Sequence, residues 1–136
     1  MARIKHIALT TANPDKVAAF YKAALGLQEI RRSSSGAVFL TDGYINLAIL
    51  NWKTEKDADV GANGPNYNGI HHFGFEVDDL DKACQQMQAA QATRLTREHE
   101  IAVAMTPDRR RNVEVKWAGP DEVVIDLSQT GWDTGA

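Results

Sequence analysis

Ile4-Lys5-His6-Ile7-Ala8-Leu9 returns 66 positions later as Ile70-His71-His72-Phe73-Gly74-Phe75. The register continues without a gap. Asp15-Lys16 falls on Asp81-Lys82, and Ala23-Ala24 on Ala89-Ala90. Self-similarity at a fixed period marks a chain built from repeated units. Each copy opens with a strand pattern. Ile7 and Leu9 alternate with His6, Ala8 and Thr10; Phe73, Phe75 and Val77 alternate with His72, Gly74 and Glu76. Strand side chains alternate faces, so one face is large and apolar, and the other is small or polar and carries the histidine. By the same alternation His71 points away from His72 and reads as a packing residue.

A helix follows in each copy. Asn13 suits an N-cap and Pro14 the first turn, with Val17, Phe20, Tyr21, Ala24 and Leu25 on one stripe and Gly26 ending the helix. In the second copy Asp78 or Asp79 caps, and Leu80, Ala83, Cys84, Met87 and Ala90 form the stripe. Strands are expected over 27–31, 37–40 and 44–50. In the second copy they are expected over 92–97, 101–105, 113–117 and 123–128. Thr41-Asp42-Gly43 and Gly119-Pro120-Asp121 supply turns. The chain divides into module 1 (1–50), a Gly-, Asn- and Asp-rich loop (51–69), module 2 (70–128) and a tail (129–136). The loop reads as a linker or a cover over the pocket. The tail is expected to carry little order, with Trp132 as the residue able to dock.

Composition narrows the function. The chain has 136 residues, 43% of them hydrophobic and 24% charged, as in an ordinary globular domain. A net charge of −3 without a basic block argues against a nucleic-acid partner. Arg109-Arg110-Arg111 reads as a solvated turn, with an anchor for an anionic substrate group as the alternative. No stretch reaches the roughly 20 apolar residues of a membrane span, and the start of the chain lacks a signal-peptide core. One cysteine, Cys84, permits no internal disulfide and suits a reducing, cytoplasmic setting. Its place on the helix stripe makes it a packing thiol.

The closing strands also match, Tyr44-Ile45-Asn46-Leu47 with Val124-Ile125-Asp126-Leu127. Alternation puts Asn46 and Asp126 on the histidine face. A twofold relation between the copies then gathers His6, Asn46, His72 and Asp126. Two imidazoles and a carboxylate form a facial triad suited to Fe(II), while Mn, Ni or Zn accept the same donors. Asn46 adds a neutral oxygen donor. A buried carboxylate without a partner is costly, and a metal is the natural partner for Asp126. Glu76 shares the face as a general base, and Tyr44, Lys116 and Trp52 are candidates for substrate contact. His99, in a charged segment, reads as exposed.

These residues resemble the vicinal oxygen chelate superfamily. The resemblance rests on His6-Ile7-Ala8-Leu9, Ala19-Phe20-Tyr21 through Leu25-Gly26-Leu27, His72 through Asp79, and Gly119-Pro120-Asp121 before Ile125-Asp126-Leu127. It implies an α+β fold in which two βαβββ modules form a cupped mixed β-sheet around a divalent metal. It places the metal ligands at His6, Asn46, His72 and Asp126. The group includes glyoxalase I, extradiol dioxygenases, methylmalonyl-CoA epimerase and bleomycin-binding proteins. The activity implied is that of a metal-dependent dioxygenase, or a glyoxalase-type lyase or isomerase. Its substrate is a small molecule that offers the metal two neighbouring oxygens, and the assembly is a homodimer. The alternative is a metal-free module that sequesters a small molecule through Tyr44, Trp52 or Trp117. Glyoxalase I carries Glu at the positions of both Asn46 and Asp126, so this chain departs from it twice.

Overall fold

The computed structural model describes residues 1–97 and 114–135. The expected strand over 101–105, His99 and Arg109 to Arg111 lie outside the described residues. The first half runs β1 (Arg3–Thr11), α1 (Pro14–Leu25), β2 (Gln28–Arg32), β3 (Val38–Thr41) and β4 (Asn46–Asn51). The second runs β5 (Gly69–Glu76), α2 (Leu80–Ala89), β6 (Thr93–Arg94), β7 (Val115–Ala118) and β8 (Val124–Ser128), with a 3-10 turn at Pro120–Glu122 before the last strand. The strands form one sheet in the order β2-β3-β4-β1-β5-β8-β7-β6. At its centre β1 and β5 run antiparallel, and each is flanked by the parallel closing strand of its own half, β4 or β8. The repeat read from the sequence is thus a local twofold between β1 and β5. This is the mixed sheet of paired βαβββ units.

Local chemistry starts each helix where expected. Asn13 Oδ1 accepts the Lys16 amide, Pro14 opens the first turn, and Gly26 ends α1 at φ 71°, a conformation that only glycine adopts freely. Of the two candidate caps for α2, Asp79 serves, accepting the Lys82 amide at 3.1 Å. Both helices cover the same face of the sheet. Under α1 lie Leu9, Val38, Leu40 and Ile49 with Ala18; under α2 lie Val77, Val115, Trp117 and Leu127 with Leu80. Each half has its own core.

The stripe expected on α1 is displaced. Ala18 is fully buried and Val17 and Tyr21 pack on the core, while Phe20 and Leu25 are 59% and 66% exposed. The buried face of α1 is therefore offset toward Pro14, Ala18 and Tyr21. Cys84 packs against the α2 core, and burial pushes its thiol pKa up, as suits a packing residue.

Candidate metal centre

The face opposite the helices carries the polar residues. Sheet register aligns Asn46 with His6, His6 with Gly74, Gly74 with Asp126, and Asp126 with Lys116. This row crosses β4, β1, β5, β8 and β7 on one face, because directly paired residues share a side of the sheet. His72 stands two residues before Gly74 on the same strand. The register thus brings the candidate ligands together, and all are deeply buried: His6 is 4% exposed, His72 3%, Asn46 3% and Asp126 0%.

Their polar atoms converge. His6 Nε2 lies 3.3 Å from His72 Nε2, and His72 Nε2 lies 3.1 Å from Asp126 Oδ2. Donors bound to a first-row ion at about 2.1 Å, with cis or tetrahedral angles, stand about 3.0–3.4 Å apart. Asp126 Oδ1 is buried without a hydrogen-bond partner. The donor set and this orphan oxygen fit a divalent cation.

Asn46 occupies a different place from the other three. Its Oδ1 accepts from His6 Nδ1 at 2.9 Å, and its Nδ2 donates to the Asp133 carbonyl at 2.8 Å. The second bond fixes which way the amide faces. His6 therefore carries its proton on Nδ1 and turns a bare Nε2 toward His72. Burial, followed by the neighbouring His72, lowers the His6 pKa from 6.5 to about 4, so the ring is neutral near pH 7.

Lys116 sits inside the cluster. Its ammonium donates to Asp126 Oδ2 at 2.9 Å and lies 3.4 Å from Glu114 and 3.5 Å from Asp59. Lys53 approaches Asp59 at 3.2 Å. Two ammoniums thus face three carboxylates. Burial works against charge at both Lys116 and Asp126. The carboxylates nonetheless hold Lys116 well above its ordinary pKa, and Lys116 and His72 hold Asp126 well below the carboxylate range.

The remaining candidates lie apart from the triad. Glu76 sits near the Arg3 guanidinium at 3.8 Å and packs against Gly131, where a Cβ would overlap its Oε1. Tyr44 is 52% exposed, with its ring under the Lys5 ammonium. Trp52 donates to Asn68 within the connecting loop. Trp117 belongs to the α2 core, on the helix side.

The connecting loop and the tail also contribute to this face. The connecting loop packs over the polar face: Tyr67 O accepts from Thr10 Oγ1, Asp59 is buried beside Lys116, and Val60 O accepts from His71. The tail crosses the other end. Trp132 stacks on His6 with centroids 4.7 Å apart and donates to Glu114 Oε1 at 2.6 Å. Gly74 makes room for this ring, since a Cβ there would lie 2.6 Å from Trp132 Cη2. His71 also departs from expectation: its Nδ1 lies 2.7 Å from His72 Nδ1. The cause is a β-bulge. Ala8 pairs with His72 but Leu9 with Ile70, leaving His71 as the extra residue. A bulge breaks strict alternation, and nothing in the local composition signals it. Asp59 was hidden for another reason, since it stands in a stretch that reads as solvated loop.

Paired βαβββ halves with a His/His/Asp cluster on the polar face of a shared sheet define a class of protein. A family model for the Glyoxalase/Bleomycin resistance protein/Dioxygenase superfamily matches residues 3–127. The chain belongs to that superfamily. It is 27% identical over 118 residues to human mitochondrial methylmalonyl-CoA epimerase, covering 79% of this chain and 64% of that protein. Over 79 residues it is 34% identical to glyoxalase I of Saccharomyces cerevisiae, covering 52% of this chain but 24% of the yeast protein. The chain thus spans less than two thirds of either curated relative. Among solved structures, the 2,3-dioxygenase LapB from Pseudomonas sp. KL28 superposes with a TM-score of 0.68 at 24% identity, over 98% of this chain and 42% of that one. A methylmalonyl-CoA epimerase in complex with methylmalonyl-CoA superposes with a TM-score of 0.63 at 20% identity, over 93% of each chain. These relatives are enzymes. Among the described residues, no helix is long and apolar enough to cross a membrane.

Proposed function

We propose that the chain is a divalent-metal-dependent enzyme. Its substrate is a small molecule that chelates the metal through two neighbouring oxygens, in an extradiol-type dioxygenase or a glyoxalase-type lyase or isomerase reaction. The observation that carries this reading is the convergence of His6 Nε2, His72 Nε2 and an Asp126 carboxylate with one orphan buried oxygen. His6, His72 and Asp126 would hold the ion. Asn46 is assigned to orienting His6, because its Oδ1 is engaged by Nδ1. Fe(II) suits the triad best; Mn, Ni and Zn accept the same donors. When bound, the metal supplies Lewis acidity toward vicinal oxygens.

The chain's own residues then have defined tasks. Lys116 holds positive charge beside Asp126 and offers an anionic substrate group a partner. Glu76 shares the face of His72 and Gly74 by strand alternation and is the proton carrier in this reading. The tail covers it at Gly131 and covers His6 at Trp132, so substrate entry requires the tail to yield this face. Tyr44 and Trp52 stay with the outer rim of substrate contact. The homodimer follows the resemblance, and a cytoplasmic setting follows the single cysteine.

The test is metal content. Wild-type protein purified without chelator should carry about one equivalent of a first-row metal, and His72→Ala should carry negligible metal. Equal, negligible metal in both, persisting after anaerobic incubation with Fe(II) and with Zn(II), would sink the reading. The second reading is metal-free sequestration of a small molecule, favoured by the Lys116 ammonium already seated on Asp126 Oδ2. It predicts that a bound ligand quenches Trp emission equally with and without excess chelator.

A further inference from the structure

We propose that the C-terminal tail is an intrasteric plug: Trp132 fills the slot of a planar aromatic ligand that carries an O–H or N–H donor, and such a ligand binds by expelling it. The slot is set by the sheet. Gly74 pairs with His6 on β1 and with Asp126 on β8, so it lies in the polar row between two of the three converging residues. Without a side chain it leaves an opening there, and the indole fills it: a Cβ on Gly74 would come within 2.6 Å of Trp132 Cη2 and 2.8 Å of Cζ2. The indole lies parallel to the His6 ring, with 5° between the planes and 4.7 Å between the centroids. Its single donor, Nε1–H, is bonded to Glu114 Oε1 at 2.6 Å. A flat ring to stack on, an open floor and an acceptor at one edge are what a planar aromatic molecule with a donor requires.

Trp132 does not serve the apolar cores, which both lie under the helices on the opposite face. An indole stabilises most where it buries against apolar neighbours, yet this one covers the polar row. Its attachment is also light. Gly131, at φ 73°, turns the chain onto the face, with its amide donating to Ser128 Oγ at 3.0 Å. Beyond it, the Asp133 carbonyl accepts from Asn46 Nδ2 at 2.8 Å and the Thr134 carbonyl from Thr41 Oγ1 at 3.2 Å. These bonds run from side chains to the tail's carbonyls and not from strand to strand, so the segment can leave without disturbing the sheet. A ligand ring then competes with Trp132 for the same contacts, and the fraction of molecules with the tail open scales its apparent affinity. That the slot belongs to the substrate rests on the function proposed above; the competition between ring and tail does not.

Fluorine NMR in excess chelator reads both competitors in one spectrum. The protein carries fluorine-labelled tryptophan, and of its three tryptophan resonances Trp132 is the one missing from Trp132→Phe. The probe is para-fluorophenol. Saturating probe should move the Trp132 resonance of the wild type to the position of an exposed tryptophan. Trp132→Ala, with the slot already open, should bind the probe at least about tenfold more tightly than wild type. Fluorocyclohexanol, which is not flat, and para-fluoroanisole, which has no donor, should each bind Trp132→Ala about tenfold more weakly than para-fluorophenol. Probe binding that leaves Trp132 in place overturns the plug, as does equal affinity in wild type and Trp132→Ala, or binding to neither. Equal affinity for the three probes overturns the ligand class. If Trp132→Ala does not fold, the displacement in the wild type decides alone. Because chelator is present throughout, a failed metal-content test leaves this result standing.

Discussion

At the scale of single residues, the polar row across the sheet explains why His6, His72 and Asp126 could be picked out of the sequence. All three sit at regular strand positions, where alternation predicts the face. Lys116 obeys the same rule, but its register opposite Asp126 is a long-range fact that local pattern does not contain. That register puts an ammonium on Asp126, where it would compete with the proposed metal. Lys116→Met should therefore raise divalent-metal affinity by at least about tenfold, close to 1.4 kcal/mol, in a chelator-competition titration. An unchanged or lower affinity would show that the ammonium does not oppose the ion. His6 supplies a pH prediction. Its pKa falls from 6.5 to about 4 on folding, so between these values the unfolded chain binds more protons than the folded one. Stability is then full above about pH 6.5 and is lost as the pH falls toward 4. His71, also lowered, acts in the same direction. Thermal melts of metal-free protein should show a lower Tm at pH 5 than at pH 7, and a Tm that stays level or rises would contradict the buried, neutral His6.

At the scale of elements, the helix caps and opening strands were legible because short-range chemistry decides them. Asn13, Pro14, Gly26 and Asp79 act within a turn of their own positions. The buried face of α1 was not legible in the same way. Phe20 and Leu25 belong to an apolar stripe, yet the sheet beneath α1 engages Ala18 and Tyr21, and only the packing partner determines that offset. The tail was legible only in part, as a loose end with Trp132 able to dock. Gly, Gln, Thr and Asp around Trp132 suggest a loose end, but Trp132 has a ring to stack on, a carboxylate to bond and a cleared space above Gly74. Gly74→Ala should consequently drive Trp132 off His6. Acrylamide should then quench the tryptophan emission more strongly than in wild type, and the difference should vanish in a Trp132→Phe background. Equal quenching in wild type and Gly74→Ala would mean that the ring does not rest on Gly74.

At the scale of the whole molecule, the twofold division was visible as a repeat, while its mode of assembly was not. Nothing local states that β1 and β5 pair directly, joining the halves into one sheet. The helices sit over separate cores, but the polar cluster draws His6 from one half and His72, Asp126 and Lys116 from the other. Pairing across the centre should make the two cores unfold together. Leu40→Ala and Leu127→Ala each truncate a buried core residue, one in each half, and each should cost about 2–5 kcal/mol. Denaturant melts should show one transition in both variants, with the same midpoint by near-ultraviolet and far-ultraviolet circular dichroism. Two separated transitions would mean that the modules fold as independent units.

The bulge beside His72 has a counterpart. In β1, Ile4 pairs with Phe75 but His6 with Gly74, so Lys5 is the extra residue there, and Lys5 and His71 occupy equivalent places in the repeat. The same irregularity thus recurs at the same place in both copies, with a different side chain at each. One copy sends an ammonium out to Tyr44, 3.5 Å from the ring centroid; the other sends an imidazole in to His72. The chain thus holds its own internal control, with the same backbone defect present twice and facing the buried histidine cluster once.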